Sequence, residues 1–227
     1  MNNISRFHYI TQDVPGSSHA QLAEFACRGG ADWVQLRMKN RDLAEWKKEA
    51  EETKKICSKY GAKLIINDNV EIAAAIEADG VHLGKNDMTP KEARMILGSK
   101  AIIGASTNSI SDVKKMMDQP VDYIGLGPYR FTTTKTDLNP VLGLEGIRSI
   151  LHLYASADSS RPLFPVIAIG GIRVEDADNL FDAGVYGIAV SSAVNLASDK
   201  IKSVSRFIAS LNISYPNNKI PKRTWNH

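Results

Sequence analysis

Asp68 and Asp87 are the residues whose types and spacing first suggest chemistry. Asp68 closes the run LIIND, and Asp87 follows in HLGKND. On neighbouring strands, which lie about 4.8 Å apart, the two carboxylates meet with no cysteine or histidine cluster beside them. Such a donor set suits a hard cation. Magnesium typically takes one or two carboxylates, keeps several waters and borrows oxygens from substrate phosphates. The competing reading is helix capping, since Asp68 precedes a helical stretch and Asp87 precedes Thr89-Pro90. We read the pair as metal ligands.

Arg37, Lys39 and Lys135 bring three cations toward the same place. A forked guanidinium and point-charge ammonium groups suit a pyrophosphate. Lys39 opens the charged run KNRD and, alone, reads equally well as solvated surface. Lys135 follows Thr132, Thr133 and Thr134 in a long loop, and long loops without regular structure are usually functional. Gly170-Gly171 and Ser191-Ser192 match a common phosphate site, in which backbone N–H groups of two loops hold the anion and glycine permits close approach. Gln35, Asn67 and Ser106 add neutral polar groups. His82 reads as a packed, hydrogen-bonded strand residue, and Cys27, Cys57, Tyr9 and Trp33 read as packing.

The elements that must position these groups follow from patterning. At 227 residues the chain holds one large domain or two small ones. Its 43% hydrophobic and 23% charged residues exclude a disordered chain, a collagen-like fibre and a disulfide mini-protein. A net charge of +3 is too small to argue for a nucleic-acid partner. Two cysteines make no disulfide framework and fit a reducing, cytoplasmic setting. No apolar run reaches the roughly 18 residues of a membrane span, and MNNISRFHYITQ lacks the pattern of a secretory signal. Residues 213–227, polar and rich in Asn and Pro, read as a flexible tail outside the fold.

Eight short apolar runs read as strands buried on both faces: 7–11, 33–37, 63–68, 80–84, 101–106, 123–127, 165–170 and 187–192. Eight helical stretches alternate with them. Leu43, Trp46, Ala50, Thr53 and Ile56 form one apolar stripe, and Ile201, Val204, Ile208 and Leu211 another. Asp42 with Glu45, and Thr89-Pro90 with Glu92, are helix starts. The phrases ADWVQL, ADGVHL, VDYIGL and VYGIAV open the even strands, and a period in the forties is two βα units. These signs predict a single-domain α/β protein, a (β/α)8 TIM barrel over residues 1–212. An open doubly wound sheet is the alternative. The chain lacks the GxGxxG turn after its first strand that such a sheet would favour.

A barrel carries its active site at the C-terminal strand ends. There the polar residues imply two anion sites, a monophosphate over strands seven and eight and a diphosphate with Mg²⁺ over strands two to four and six. A diphosphate so held is a leaving group, so the implied reaction transfers the attached group to a phosphorylated acceptor. No Ser/His/Asp nucleophile set and no general base accompanies it, compatible with substitution governed by electrostatics and positioning.

QLRMK, LIINDN, DGVHLGKND, IGAST, YIGLGPYRFTTTK, PVIAIGGI and GIAVSS together resemble the thiamine-phosphate synthase family, in order and at family spacing from about residue 7 to residue 211. The resemblance implies joining of 4-amino-2-methyl-5-hydroxymethylpyrimidine diphosphate to a thiazole phosphate, giving thiamine monophosphate and pyrophosphate with Mg²⁺ required. It implies that Gln35, Arg37, Lys39 and Asn67 contact the pyrimidine diphosphate, with Ser106 on the pyrimidine side. Asp68 and Asp87 match the magnesium ligands. Thr132, Thr134, Gly171, Ser191 and Ser192 match thiazole-phosphate contacts, and Lys135 a contact that assists departure of the diphosphate. The implied route is loss of pyrophosphate to a pyrimidine-methyl carbocation, captured by the thiazole nitrogen. Two positions depart from the family pattern. Asn108 stands where the family often has His, which would alter a hydrogen bond near the pyrimidine. Tyr129-Arg130-Phe131 replaces an apolar-Phe-Pro triplet and adds a cation without an assigned role. The rivals are a thiazole tautomerase, a non-catalytic sensor of the thiamine pathway and a phosphosugar isomerase; none accounts for the diphosphate cations together with both aspartates. Barrels of this kind are often dimers, so a homodimer is compatible with this reading.

Overall fold

The computed structural model describes residues 3–39, 41–132, 140–157 and 163–214. Its strands fall where the apolar runs predict them: β1 (Phe7–Ile10), β2 (Trp33–Leu36), β3 (Lys63–Asn67), β4 (Gly80–Leu83), β5 (Ile102–Thr107), β6 (Tyr123–Leu126), β7 (Val166–Ile169) and β8 (Gly187–Val190). All neighbours pair in parallel and β8 returns to β1, closing the barrel. Closure decides against the open sheet.

Helices α1 (His19–Arg28), α2 (Leu43–Tyr60), α3 (Val70–Ala75), α4 (Pro90–Leu97), α5 (Ile110–Met116), α6 (Gly143–Ala157) and α7 (Ala177–Asp182) surround the barrel. The short α8 (Ser192–Asn195) and long α9 (Lys200–Ser214) complete the described helices. The described residues thus hold one α-helix more than the periodicity suggests, because the single turn of α8 is too short to show a period. Asp42 caps α2 by accepting from the Glu45 N–H, and Thr89 with Glu92 forms a capping box on α4. Leu43 does not join the stripe of α2: it is 59% exposed at the first turn, while Ala50, Thr53 and Cys57 carry the buried face. Helix α9 runs through Ser214, past the boundary at 212, and residues 215–227 lie outside the described residues.

Two cores account for the runs of apolar residues. Every second strand residue faces outward into the layer under the helices, as Val34, Leu36, Leu64, Ile66, Val81 and Leu83 do. The alternate residues face inward, and at the lower end Trp33, Ile65, Ile102, Tyr123 and Ile167 fill the barrel. His8 stacks on Trp33 with centroids 4.2 Å apart, and Tyr123 meets both rings edge-on. Burial pulls the His8 imidazole down to about 3, so it is neutral in this stack. Space for Tyr123 comes from Gly104, where a Cβ would stand 2.2 Å from the ring. The Gly104→Ala substitution is therefore expected to cost about 1–3 kcal/mol by overpacking. That lowers the melting temperature by about 2–4 °C per kcal/mol in a chain of this size. Thermal unfolding reads it directly, and an unchanged midpoint would mean that the ring has room to move.

The sequence echo belongs to the opposite end from the chemistry. Asp79 Oδ2 accepts the Leu64 N–H at 2.8 Å, and Asp122 Oδ2 accepts the Ile103 N–H at 2.8 Å. Each aspartate thus ties the entry of an even strand to the strand before it. Lys54 and Arg94 pair with these same carboxylates.

Candidate active site

The inward-facing series that is apolar below becomes polar toward the C-terminal ends. Alternation carries Trp33 to Gln35 and Arg37, Ile65 to Asn67, and Ile102 through Gly104 to Ser106. These residues line a cavity of about 310 Å³ together with Lys39, Asp68, Asp87, Thr132, Gly171, Ser191 and Ser192. All described residues assigned to the site from sequence therefore share one cavity. Thr134 and Lys135 lie outside the described residues.

Asp68 and Asp87 stand within hydrogen-bonding reach of one another. The capping reading fails for both. Asn69 caps α3 by accepting from the Ile72 N–H, and Thr89 caps α4. Asp87 Oδ2 instead accepts the Gly84 N–H at 2.6 Å, which turns the chain after β4. Asp68 takes a left-handed backbone, φ +66°, unusual for a residue with a side chain. Burial, then the hydrogen bond and charge of Asp87, push its carboxyl up to about 6 against the pull of Lys39 and Arg37. Among the described residues no group of three or more His, Cys, Asp or Glu converges as a metal cage. The two carboxylates alone fit a hard cation that completes its shell with water and substrate oxygens.

Arg37 is held through its backbone, whose N–H donates to Thr11 Oγ1 at 3.0 Å. Burial lowers its guanidinium from the ordinary value, and Asp68 and Asp13 oppose that. Ser106 is held from within the barrel: its hydroxyl is 3.0 Å from His82 Nε2, and His82 Nδ1 is 2.9 Å from the Tyr123 hydroxyl. His82 is thus hydrogen-bonded as expected, yet it also lines the cavity. On the far wall, the Ser191 hydroxyl donates to Gln12 Oε1 at 3.0 Å, and Asn195 Nδ2 donates to the Ser191 carbonyl at 3.0 Å. Ser192 opens α8.

Lys85, Asn86, Thr107, Gly127, Pro128 and Ile172 also line the cavity and were missed from sequence. The GKND turn between β4 and α4 was a usable signal for the first two. Lys85 is already engaged, 2.6 Å from Asp112 Oδ2.

The two departures from the family pattern both hydrogen-bond to backbone carbonyls of the cavity lining. Asn108 is buried, and its Nδ2 donates to the carbonyls of Gly127 (2.7 Å) and Pro140 (3.0 Å). It joins the two ends of the loop after β6. Arg130 is clamped on Asp176. Burial would raise Asp176, but the Arg130 hydrogen bonds and the Arg173 N–H hold it below the usual carboxylate range.

Fold and cavity together define a (β/α)8-barrel enzyme with a small-molecule site at its C-terminal face. A sequence model of the thiamine monophosphate synthase family matches residues 8–194. A thiamine-phosphate synthase of Phocaeicola vulgatus is 44% identical over 200 residues, 88% of this chain and 95% of that protein. One of Bacteroides fragilis is 44% identical over 88% of this chain and 97% of its own length. The solved thiamine phosphate pyrophosphorylase of Pyrococcus furiosus superposes with a TM-score of 0.79 at 31% identity, covering 92% of this chain and 96% of that one. The chain belongs to the thiamine monophosphate synthase family. It is a transferase of thiamine biosynthesis. No described helix is long and apolar enough to cross a membrane.

Proposed function

We propose that the enzyme joins 4-amino-2-methyl-5-hydroxymethylpyrimidine diphosphate to a thiazole phosphate, releasing thiamine monophosphate and pyrophosphate with Mg²⁺ as cofactor. One observation carries the reading: a single cavity joins a wall of two neighbouring carboxylates, Arg37 and Lys39 to a wall of Gly170, Gly171, Ser191 and Ser192. The first wall suits a metal-bound diphosphate, and the second a phosphate monoester. Tautomerisation or sensing of a thiazole phosphate would leave the first wall without a purpose.

Asp68 and Asp87 would hold the metal, since two ionised carboxylates in contact repel one another unless a cation lies between them. When bound, the divalent ion supplies charge neutralisation for the leaving diphosphate. Arg37 and Lys39 bind the diphosphate oxygens. Gln35, Asn67 and Ser106 orient the pyrimidine, with Ser106 fixed by His82. Thr132, Thr134, Gly171, Ser191 and Ser192 hold the thiazole phosphate so that its ring nitrogen faces the pyrimidine methylene. The methylene–oxygen bond breaks, and both electrons leave on pyrophosphate. The thiazole nitrogen lone pair then forms the C–N bond to the resulting carbocation. No proton leaves a carbon in that sequence, so it calls for no general base.

Lys135 is assigned to the charge that develops on the departing oxygen. Its replacement by alanine is expected to lower kcat by about 100-fold or more while moving either KM only a few-fold. A change confined to KM in steady-state kinetics would contradict the role. Mass spectrometry of the products tests the function itself. Thiamine monophosphate formed one-for-one with pyrophosphate is expected, whereas an isomerised thiazole phosphate alone would sink the proposal.

A further inference from the structure

Thr132 and Gly171 reach the cavity from two different loops, and the structure ties those loops together behind the cavity wall. Arg130 makes the tie. Its Nη1 donates to Asp176 Oδ2 at 2.6 Å and its Nη2 to Asp176 Oδ1 at 2.7 Å, the paired geometry that a guanidinium forms with a carboxylate. Nη1 also donates to the Gly171 carbonyl at 3.0 Å. Asp176, only 5% exposed, further accepts the Arg173 N–H at 2.8 Å. Arg130 is not part of the cavity lining, and its charge is matched by Asp176, so it does not serve as a substrate cation.

The backbones meet closely at this point. Gly171 has φ +64°, and a Cβ there would stand 2.7 Å from Arg130 Cβ and 3.0 Å from the Phe131 carbonyl oxygen. No other residue type fits both the angle and the space. With the Gly171 carbonyl held on the guanidinium, the plane of the Gly171–Ile172 peptide is set. In a trans peptide the N–H points opposite to the C=O, so the Ile172 N–H is turned away from Arg130. Among the described residues it has no hydrogen-bond partner, and Ile172 lines the cavity.

We propose that Arg130 is a positioning residue for a phosphate monoester. Clamped on Asp176, it turns the Ile172 N–H to the cavity as a donor to the phosphate of the acceptor substrate. The identity of that acceptor rests on the proposed function, but the phosphate site does not.

The test compares wild type with Arg130→Ala, Arg130→Lys and Asp176→Asn, in steady-state kinetics and in thermal protection by inorganic phosphate. Arg130→Ala is expected to raise KM for the thiazole phosphate at least about tenfold, the size expected for one lost hydrogen bond to a charged group. KM for the pyrimidine diphosphate and kcat stay within about twofold, and phosphate protection disappears. Arg130→Lys restores neither, because one ammonium cannot span both Asp176 oxygens and the Gly171 carbonyl. Asp176→Asn, nearly isosteric, shows the same selective rise if Arg130→Ala fails to fold. An unchanged KM for the thiazole phosphate overturns the inference. So does a parallel rise of both KM values with a fall in melting temperature, which marks a merely structural tie. A wild-type protein that inorganic phosphate does not protect overturns it as well. If wild type is protected and Arg130→Ala is not, yet no pyrophosphate is released, the inference stands and the proposed function falls.

Discussion

Replacing Asp68 by asparagine is expected to lower turnover by about 100- to 1,000-fold while making the metal-free protein more stable. The loss of turnover follows from removing one of two metal ligands in a site where electrostatics do most of the work. The gain in stability follows from the environment of the carboxyl. Burial and Asp87 push Asp68 up to about 6, above its value in an unfolded chain, near 4. The folded state therefore favours the neutral form. The resulting penalty is absent below about pH 4, grows between about pH 4 and 6, and is complete above about pH 6. At pH 7.5 it amounts to about 3 kcal/mol, which asparagine removes. Asparagine also tolerates the left-handed backbone at this position. Melting curves without metal should show the variant above wild type at pH 7.5 and level with it near pH 4, and Mg²⁺ should stabilise wild type alone. A variant that melts lower at pH 7.5 would mean that Asp68 has another, stabilising partner.

Arg37→Met is expected to reduce kcat/KM for the pyrimidine diphosphate by about a thousandfold, leaving KM for the thiazole phosphate unchanged. Methionine fills the space of the aliphatic stem, so the substitution removes charge and the donor fork with little change in packing. A second effect has a definite sign. Arg37 draws the Asp68 carboxyl down, so its loss sends that carboxyl higher. The variant should then need more Mg²⁺ for half-maximal rate at pH 6.5 than at pH 8, with a steeper contrast than wild type. Steady-state kinetics with each substrate varied in turn distinguish this from a general disturbance, which would raise both KM values.

Fold and site were legible in the sequence to different degrees. The strands were found because both faces of each are covered, by helices outside and by the interior stack within, so burial wrote continuous apolar runs. The polar clusters were found because the inward series ends at the mouth, where Gln35, Asn67 and Ser106 replace Trp33, Ile65 and Ile102. Leu43 was misread because a helical stripe does not say where the cover ends, and the first turn of α2 is exposed. Asn108 and Arg130 could not be read at all. Their partners are carbonyls and a carboxylate 19 to 46 positions away, brought near only by closure of the barrel. His82 shows a middle case, in which packing was legible but its hold on Ser106 was not.

The central claim is that one cavity holds a metal-bound diphosphate and a phosphate monoester together. Pyrophosphate release from purified enzyme tests it most directly, with the pyrimidine diphosphate, the thiazole phosphate and Mg²⁺ each omitted in turn. Release that requires all three, and stops when chelator is added, is the predicted result. Release without the thiazole phosphate, or undiminished by chelator, would contradict it.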